Sequence, residues 1–153
     1  MTTAPTVSYQ HRVALFPQPT GMTCWSAATT MLFGNVFSAG PGAARAGSTG
    51  GLQSDFKNIF TFAGSYGLRV YPLMSWTVDG IVKLIKKGPV AMLGAIPSLH
   101  AVVISGVRSD GTPRGTILTI YDPWPPNKGA IYSVDYLSLV TNFPMATMYM
   151  LQR

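Results

Sequence analysis

The stretch Gln18-Pro19-Thr20-Gly21-Met22-Thr23-Cys24-Trp25-Ser26-Ala27 contains the only cysteine of the chain. It also marks where an irregular segment gives way to a helix. Thr23 suits an N-cap, because its side-chain oxygen can accept an N–H of the first helical turn. Apolar residues at helical spacing run from Cys24 to Phe33, and Gly34-Asn35 ends them. The pattern predicts a helix over 24–33 with Cys24 at its first position. One thiol can form neither an internal disulfide nor a multi-cysteine metal site. It is either a small buried hydrophobe or a nucleophile.

Outward from this helix, residues 1–17 read as extended and irregular, with Pro5 and Pro17. Residues 38–51 are rich in Gly, Ala and Ser and read as a flexible loop. Ser54 caps a second helix, Asp55 to about Ala63, and Tyr66 to Leu73 holds a short strand. Thr77 caps a third helix with Val78, Ile81, Val82 and Ile85 on its inner face, stopped by Gly88-Pro89. The character then turns to β. Val90–Ile96, His100–Val107, Gly115–Tyr121, Ala130–Val134 and Thr147–Leu151 are predicted strands, with Ser109-Asp110-Gly111-Thr112 as a turn. Helices first and sheet second make an α+β domain, read as one unit over 1–153.

The composition fits a packed core: 47% of the 153 residues are apolar and 10% charged. Eleven Lys and Arg oppose five Asp and no Glu, for a net charge of +6. The cations are scattered apart from Lys83, Lys86 and Lys87 on the third helix, so no nucleic-acid module is indicated. Val90 to Val107 lacks charge but contains Gly94, Pro97, Ser98 and His100, which suits two buried strands and a turn better than a membrane helix. The N-terminus shows no secretory signal pattern.

A thiol is only a few per cent ionised at neutral pH, since its ordinary pKa is about 8.5. A helix N-terminus and a neighbouring imidazolium both favour the thiolate. The chain has two histidines. His100 opens the apolar strand Ala101-Val102-Val103-Ile104, which would hold it rigidly, whereas His11 reads as a surface residue in a polar, mobile segment. A base needs an orienting partner. Gly111 lies midway between His100 and Asp122, so a symmetric hairpin places the two opposite each other, with Cβ atoms about 4.5–5.5 Å apart. Gln18 and the Cys24 N–H suit an oxyanion hole, because a carboxamide donates without charge and without acting as a base.

These residues resemble the papain-like cysteine peptidases. The Gln-x5-Cys-Trp pattern, the helix starting at the cysteine and the order Gln, Cys, His, Asp all agree with that clan. Papain-type enzymes carry a Gly and a further Cys just before the nucleophile, where Gly21-Met22-Thr23 stands here, and their His and Asn lie much farther downstream. The shorter spacing, with Gly88-Pro89-Val90, His100-Ala101-Val102-Val103-Ile104-Ser105-Gly106 and Asp122-Pro123, is more similar to the compact bacterial branch. That branch includes C39-like leader peptidases and AvrRpt2-type effector proteases.

The resemblance, which spans Gln18 to Pro123, implies a papain-like fold. It assigns Cys24 as nucleophile, His100 as base, Asp122 as orienter and Gln18 as oxyanion donor, with no cofactor and no metal. Trp25, Trp76 and Trp124 are candidates for the substrate cleft. C39-like enzymes cleave after double glycine, and the chain has its own Gly50-Gly51. Expected partners are a protein or peptide substrate and, for a bacterial effector or toxin domain delivered into a target cell, an immunity protein over the cleft. Neither nucleic acid nor membrane is expected as a partner. A Cys-His-Asp amidase, acyltransferase or transglutaminase on the same fold, and a binding module with a buried Cys24, remain open alternatives.

Overall fold

The computed structural model describes residues 6–18, 24–33, 56–94, 100–142 and 148–153. In chain order the elements are β1 (Val7–Gln10), α1 (Cys24–Leu32), α2 (Phe56–Ser65), β2 (Arg69–Tyr71) and α3 (Val78–Lys87). Then come β3 (Val90–Gly94), β4 (His100–Ser109), β5 (Thr116–Asp122), β6 (Ala130–Asp135), α4 (Tyr136–Asn142) and β7 (Met148–Gln152). The expected caps Thr23 and Ser54, the loop 38–51 with Gly50-Gly51, and the turn between β3 and β4 fall outside the described residues.

The described strands form one antiparallel sheet in the order β2-β7-β3-β4-β5-β6, with β1 added along β4. β3 pairs with the first half of β4 and β1 with its second half, so the two share one edge of that long strand. Alternation along the strands sorts the core into two clusters. Ala91, Leu93, Ala101, Val103 and Leu151 meet Trp25, Ala28, Met31, Ile59 and Phe62 of α1 and α2. Val90, Met92, Val102, Ile104, Leu118, Ile120 and Met150 meet Ile81, Leu84 and Ile85 of α3 and Leu139 of α4. The sheet is therefore sandwiched between two helical layers. Among the described residues no helix is long and apolar enough to cross a membrane.

The local chemistry explains the elements. Thr77 Oγ1 accepts the Gly80 N–H at 3.0 Å and caps α3. Asp79 in its first turn and Lys86 and Lys87 in its last match the helix dipole. Gln152 Nε2 donates to the carbonyls of Leu84 and Gly88 at 2.8 and 3.0 Å, which ties the end of α3 to β7. Leu84, rather than the expected Val82, completes the buried face of α3.

Two elements depart from the sequence reading. The segment 1–17 is not irregular throughout, because Val7–Gln10 pairs with Gly106–Ser109. The C-terminal half also contains α4, started by Asp135, whose carboxylate accepts the Ser138 N–H and hydroxyl at 2.8 and 3.0 Å. A bulge between Ile104 and Gly106 fits β1 against β4. A Cβ on Gly106 would lie 2.8 Å from the Tyr9 carbonyl oxygen, closer than side-chain carbons approach backbone.

Candidate active site

All nine residues of α1 are buried, which is unusual for a helix containing Ser26, Thr29 and Thr30. The hydroxyls of Thr29 and Thr30 satisfy themselves on the carbonyls of Trp25 and Ser26, each at 2.8 Å. Trp25 stands edge-on to Phe62 with ring centroids 5.3 Å apart. These contacts fix α1 against β3 and β4 and set Cys24 at the positive end of the helix dipole.

His100 is the first residue of β4 and Asp122 the last of β5. His100 Nε2 and Asp122 Oδ1 are 3.0 Å apart, with side chains 29% and 13% exposed. The direct opposition expected from a symmetric hairpin is corrected. Ser109 pairs with Thr116, so the turn centres between Thr112 and Pro113 instead of on Gly111, and the Ser105 bulge takes back one residue so that Val103 pairs with Tyr121. Continued by one residue, the ladder sets Asp122 beside position 102, so His100 is the diagonal neighbour on the same face. Diagonal neighbours are about 7–8 Å apart, still within reach of long side chains.

The imidazole is also hydrogen-bonded to the Cys24 thiol. Because Nε2 serves Asp122, Nδ1 is the nitrogen left for sulfur. Burial opposes the imidazolium, but Asp122 and Cys24 outweigh it and hold the His100 pKa up to about 9. Burial also works against the Asp122 carboxylate. The His100 contact, the Trp124 N–H and the Tyr132 hydroxyl outweigh it and keep its pKa below the ordinary value. The pair is therefore charged at neutral pH. His100 contributes stability in full below its unfolded pKa of about 6.5 and loses it as pH rises through about 9. Asp122 contributes above its unfolded pKa of about 3.9 and loses that stability as pH falls through its lowered folded value.

Two donors to Asp122 escaped the sequence reading. The Trp124 N–H reaches Oδ1 at 2.9 Å and the Tyr132 hydroxyl reaches Oδ2 at 3.0 Å. An aspartate followed by a turn was a cue for the first. The second needs the β5–β6 register, which sequence alone does not supply.

Gln18 is buried, and its backbone is clamped by the segment that follows Asp122. Its N–H donates to the Pro123 carbonyl at 3.0 Å, and the Asn127 N–H donates to its carbonyl at 2.8 Å. The same connection thus holds both Gln18 and Asp122. Of the three tryptophans considered for a cleft, only Trp124, half exposed beside Asp122, presents its ring to solvent. Trp25 is fully buried between its own helix α1 and Phe62 of α2. Trp76 packs in the α3 cluster against Tyr71, with ring centroids 5.5 Å apart, and its carbonyl accepts the Tyr136 hydroxyl at 2.6 Å. Both are core residues because their indoles fill the two helical layers.

His11 is not a mobile surface residue. Its N–H donates to the Ser105 carbonyl at 2.9 Å and its ring bonds the Ile85 carbonyl. A basic depression of about 410 Å³, with His11, Arg12, Lys87 and Arg153 in its lining, includes Met31 and Leu32 from the far end of α1 and none of the residues around Cys24. Among the described residues no group of three or more His, Cys, Asp or Glu is placed to hold a metal ion.

The fold thus brings a thiol at a helix start, an imidazole and a carboxylate into one cluster. A family model described as papain-like cysteine protease AvrRpt2 matches residues 2–137. The chain belongs to this family and is a cysteine protease, a hydrolase that acts on protein substrates. No curated protein and no solved structure matches it.

Proposed function

We propose that the chain is one catalytic domain that cleaves peptide bonds through Cys24, His100 and Asp122. The contact of His100 with both the thiol and Asp122, at 3.0 Å from the latter, is the observation that carries this reading. Cys24 Sγ attacks the scissile carbonyl carbon, and the π electrons move to oxygen. The oxyanion is met by the Cys24 N–H and the Gln18 carboxamide. His100 gives its Nδ1 proton to the leaving amine as the C–N bond breaks, which leaves a thioester. His100 then takes a proton from water, the hydroxide attacks the thioester, and the thiolate departs. Asp122 holds the ring and supports its charge.

The family match and the basic charge support a role as a bacterial effector or toxin domain, delivered into a target cell and held in check by an immunity protein. A double-glycine preference follows from the likeness to C39-type enzymes. Whole-cell extracts incubated with wild type and with Cys24→Ala test the reading. Mass spectrometry of protein N-termini is expected to show new termini with wild type alone, and their flanking residues define the preference. Absence of Cys24-dependent termini from bacterial and eukaryotic extracts alike overturns the peptidase assignment.

A further inference from the structure

We propose that Tyr132 is a positioning residue that locks the Asp122 carboxylate in the plane His100 requires. The proposal rests on the catalytic reading of Cys24, His100 and Asp122. The last torsion of an aspartate is broad and roughly two-fold, so the side chain does not fix its own carboxylate plane. Donors on both oxygens must do so. Oδ1 is occupied by His100 Nε2 at 3.0 Å and the Trp124 N–H at 2.9 Å. Oδ2 receives the Tyr132 hydroxyl at 3.0 Å. With Oδ1 alone held, the plane could swing about that oxygen and carry its lone pairs away from the imidazole.

Tyr132 is built for this task. It faces Ile120 across the β5–β6 ladder, two residues before Asp122, and therefore shares the face from which Asp122 projects. Its ring packs against the α3–α4 cluster, so the hydroxyl is delivered from an anchored side chain with few torsions to freeze. Burial, and then the Asp122 charge, push its own ionisation above the ordinary tyrosine range, so it remains a donor wherever the enzyme works. It acts through Asp122.

Tyr132→Phe removes the hydroxyl and keeps the ring. On a peptide spanning a recovered cleavage site, kcat is expected to fall about tenfold, the scale of one hydrogen bond to a charged group. KM stays within about twofold, because uniform substrate binding is untouched. The alkaline limb of kcat/KM shifts down from about 9, because a swinging carboxylate supports the imidazolium less well. In an Asp122→Asn background the same change has no further effect on kcat, since the residue Tyr132 acts through is gone. Ser133→Ala, an exposed neighbour on β6, leaves all parameters unchanged.

An unchanged kcat overturns the proposal. So does a loss of kcat with an unmoved alkaline limb, or an equal loss in the Asp122→Asn background, because either marks a merely structural tyrosine. Cys24→Ala in the same assay separates the two levels. Cleavage that survives it sinks the catalytic reading itself, whereas an inert Cys24→Ala beside an unaffected Tyr132→Phe sinks only the role of Tyr132.

Discussion

Cys24→Ala lowers kcat/KM for a cleaved peptide by at least about 10³-fold, His100→Ala does so by a similar factor, and the double variant is no worse than either. In the proposed mechanism both side chains act in one event. Without the thiol there is no nucleophile to form the thioester. Without the imidazole there is no charged partner for sulfur and no proton for the leaving amine. Neither substitution should unfold the chain. Cys24 is a small residue at the start of α1, and His100 opens β4 where its side chain is 29% exposed. Circular dichroism and steady-state kinetics on the three variants check this. Additive losses would mean that the two residues serve separate functions.

Asp122→Asn is the second large effect. The carboxylate is a principal reason that the imidazolium persists to about pH 9 in spite of its burial. An amide keeps the shape and loses the charge, so the alkaline limb of kcat/KM should fall from about 9 toward the ordinary histidine value of about 6.5. Above the limb each pH unit of such a shift costs tenfold in the protonated fraction, and because pH 8 lies about one unit below the starting value of about 9, a full shift to about 6.5 lowers activity at pH 8 by about 30-fold. The substituted side chain can still accept the Trp124 N–H, which limits the damage to the loop. A pH–rate profile from pH 5 to 10 reads the shift. A limb left near 9 would show that something other than Asp122 supports the charge.

The parts of this site that sequence revealed are those whose cues are local. Thr77, Asp79 and Gly88-Pro89 bracket α3 within a dozen residues, and the structure has that helix at 78–87. The apolar run that ends at Gly34-Asn35 gave α1, with Cys24 as its first residue. His100 and Asp122 were paired correctly but for an inexact reason. The hairpin is off the symmetric register because its turn centres between Thr112 and Pro113, not on Gly111. The Ser105 bulge takes back one residue so that His100 and Asp122 share a face, and that bulge lies where β1 docks, a contact nearly 100 residues away in sequence. β1 itself is four residues with alternating burial, too short for its pattern to stand out. Helix α4 carried a local signal, Asp135 three residues before Ser138, that was eclipsed by the adjoining strand pattern. Tyr132 was out of reach because the connection from Pro123 to Gly129 leaves the register of β6 unspecified until the sheet forms. The tryptophans show the opposite limit. Trp25 and Trp76 sit close in sequence to meaningful residues, yet packing turns both indoles into the core.

The central claim is that His100 activates Cys24, and the rate of alkylation of Cys24 by iodoacetamide at pH 6 tests it most directly. The chain has one cysteine, so intact mass reports that residue without ambiguity. Wild type should take up a single adduct rapidly, and His100→Ala should slow the reaction by at least about tenfold, because loss of the imidazolium removes the support for the thiolate. Slow alkylation of wild type at a rate unchanged by His100→Ala would contradict the account.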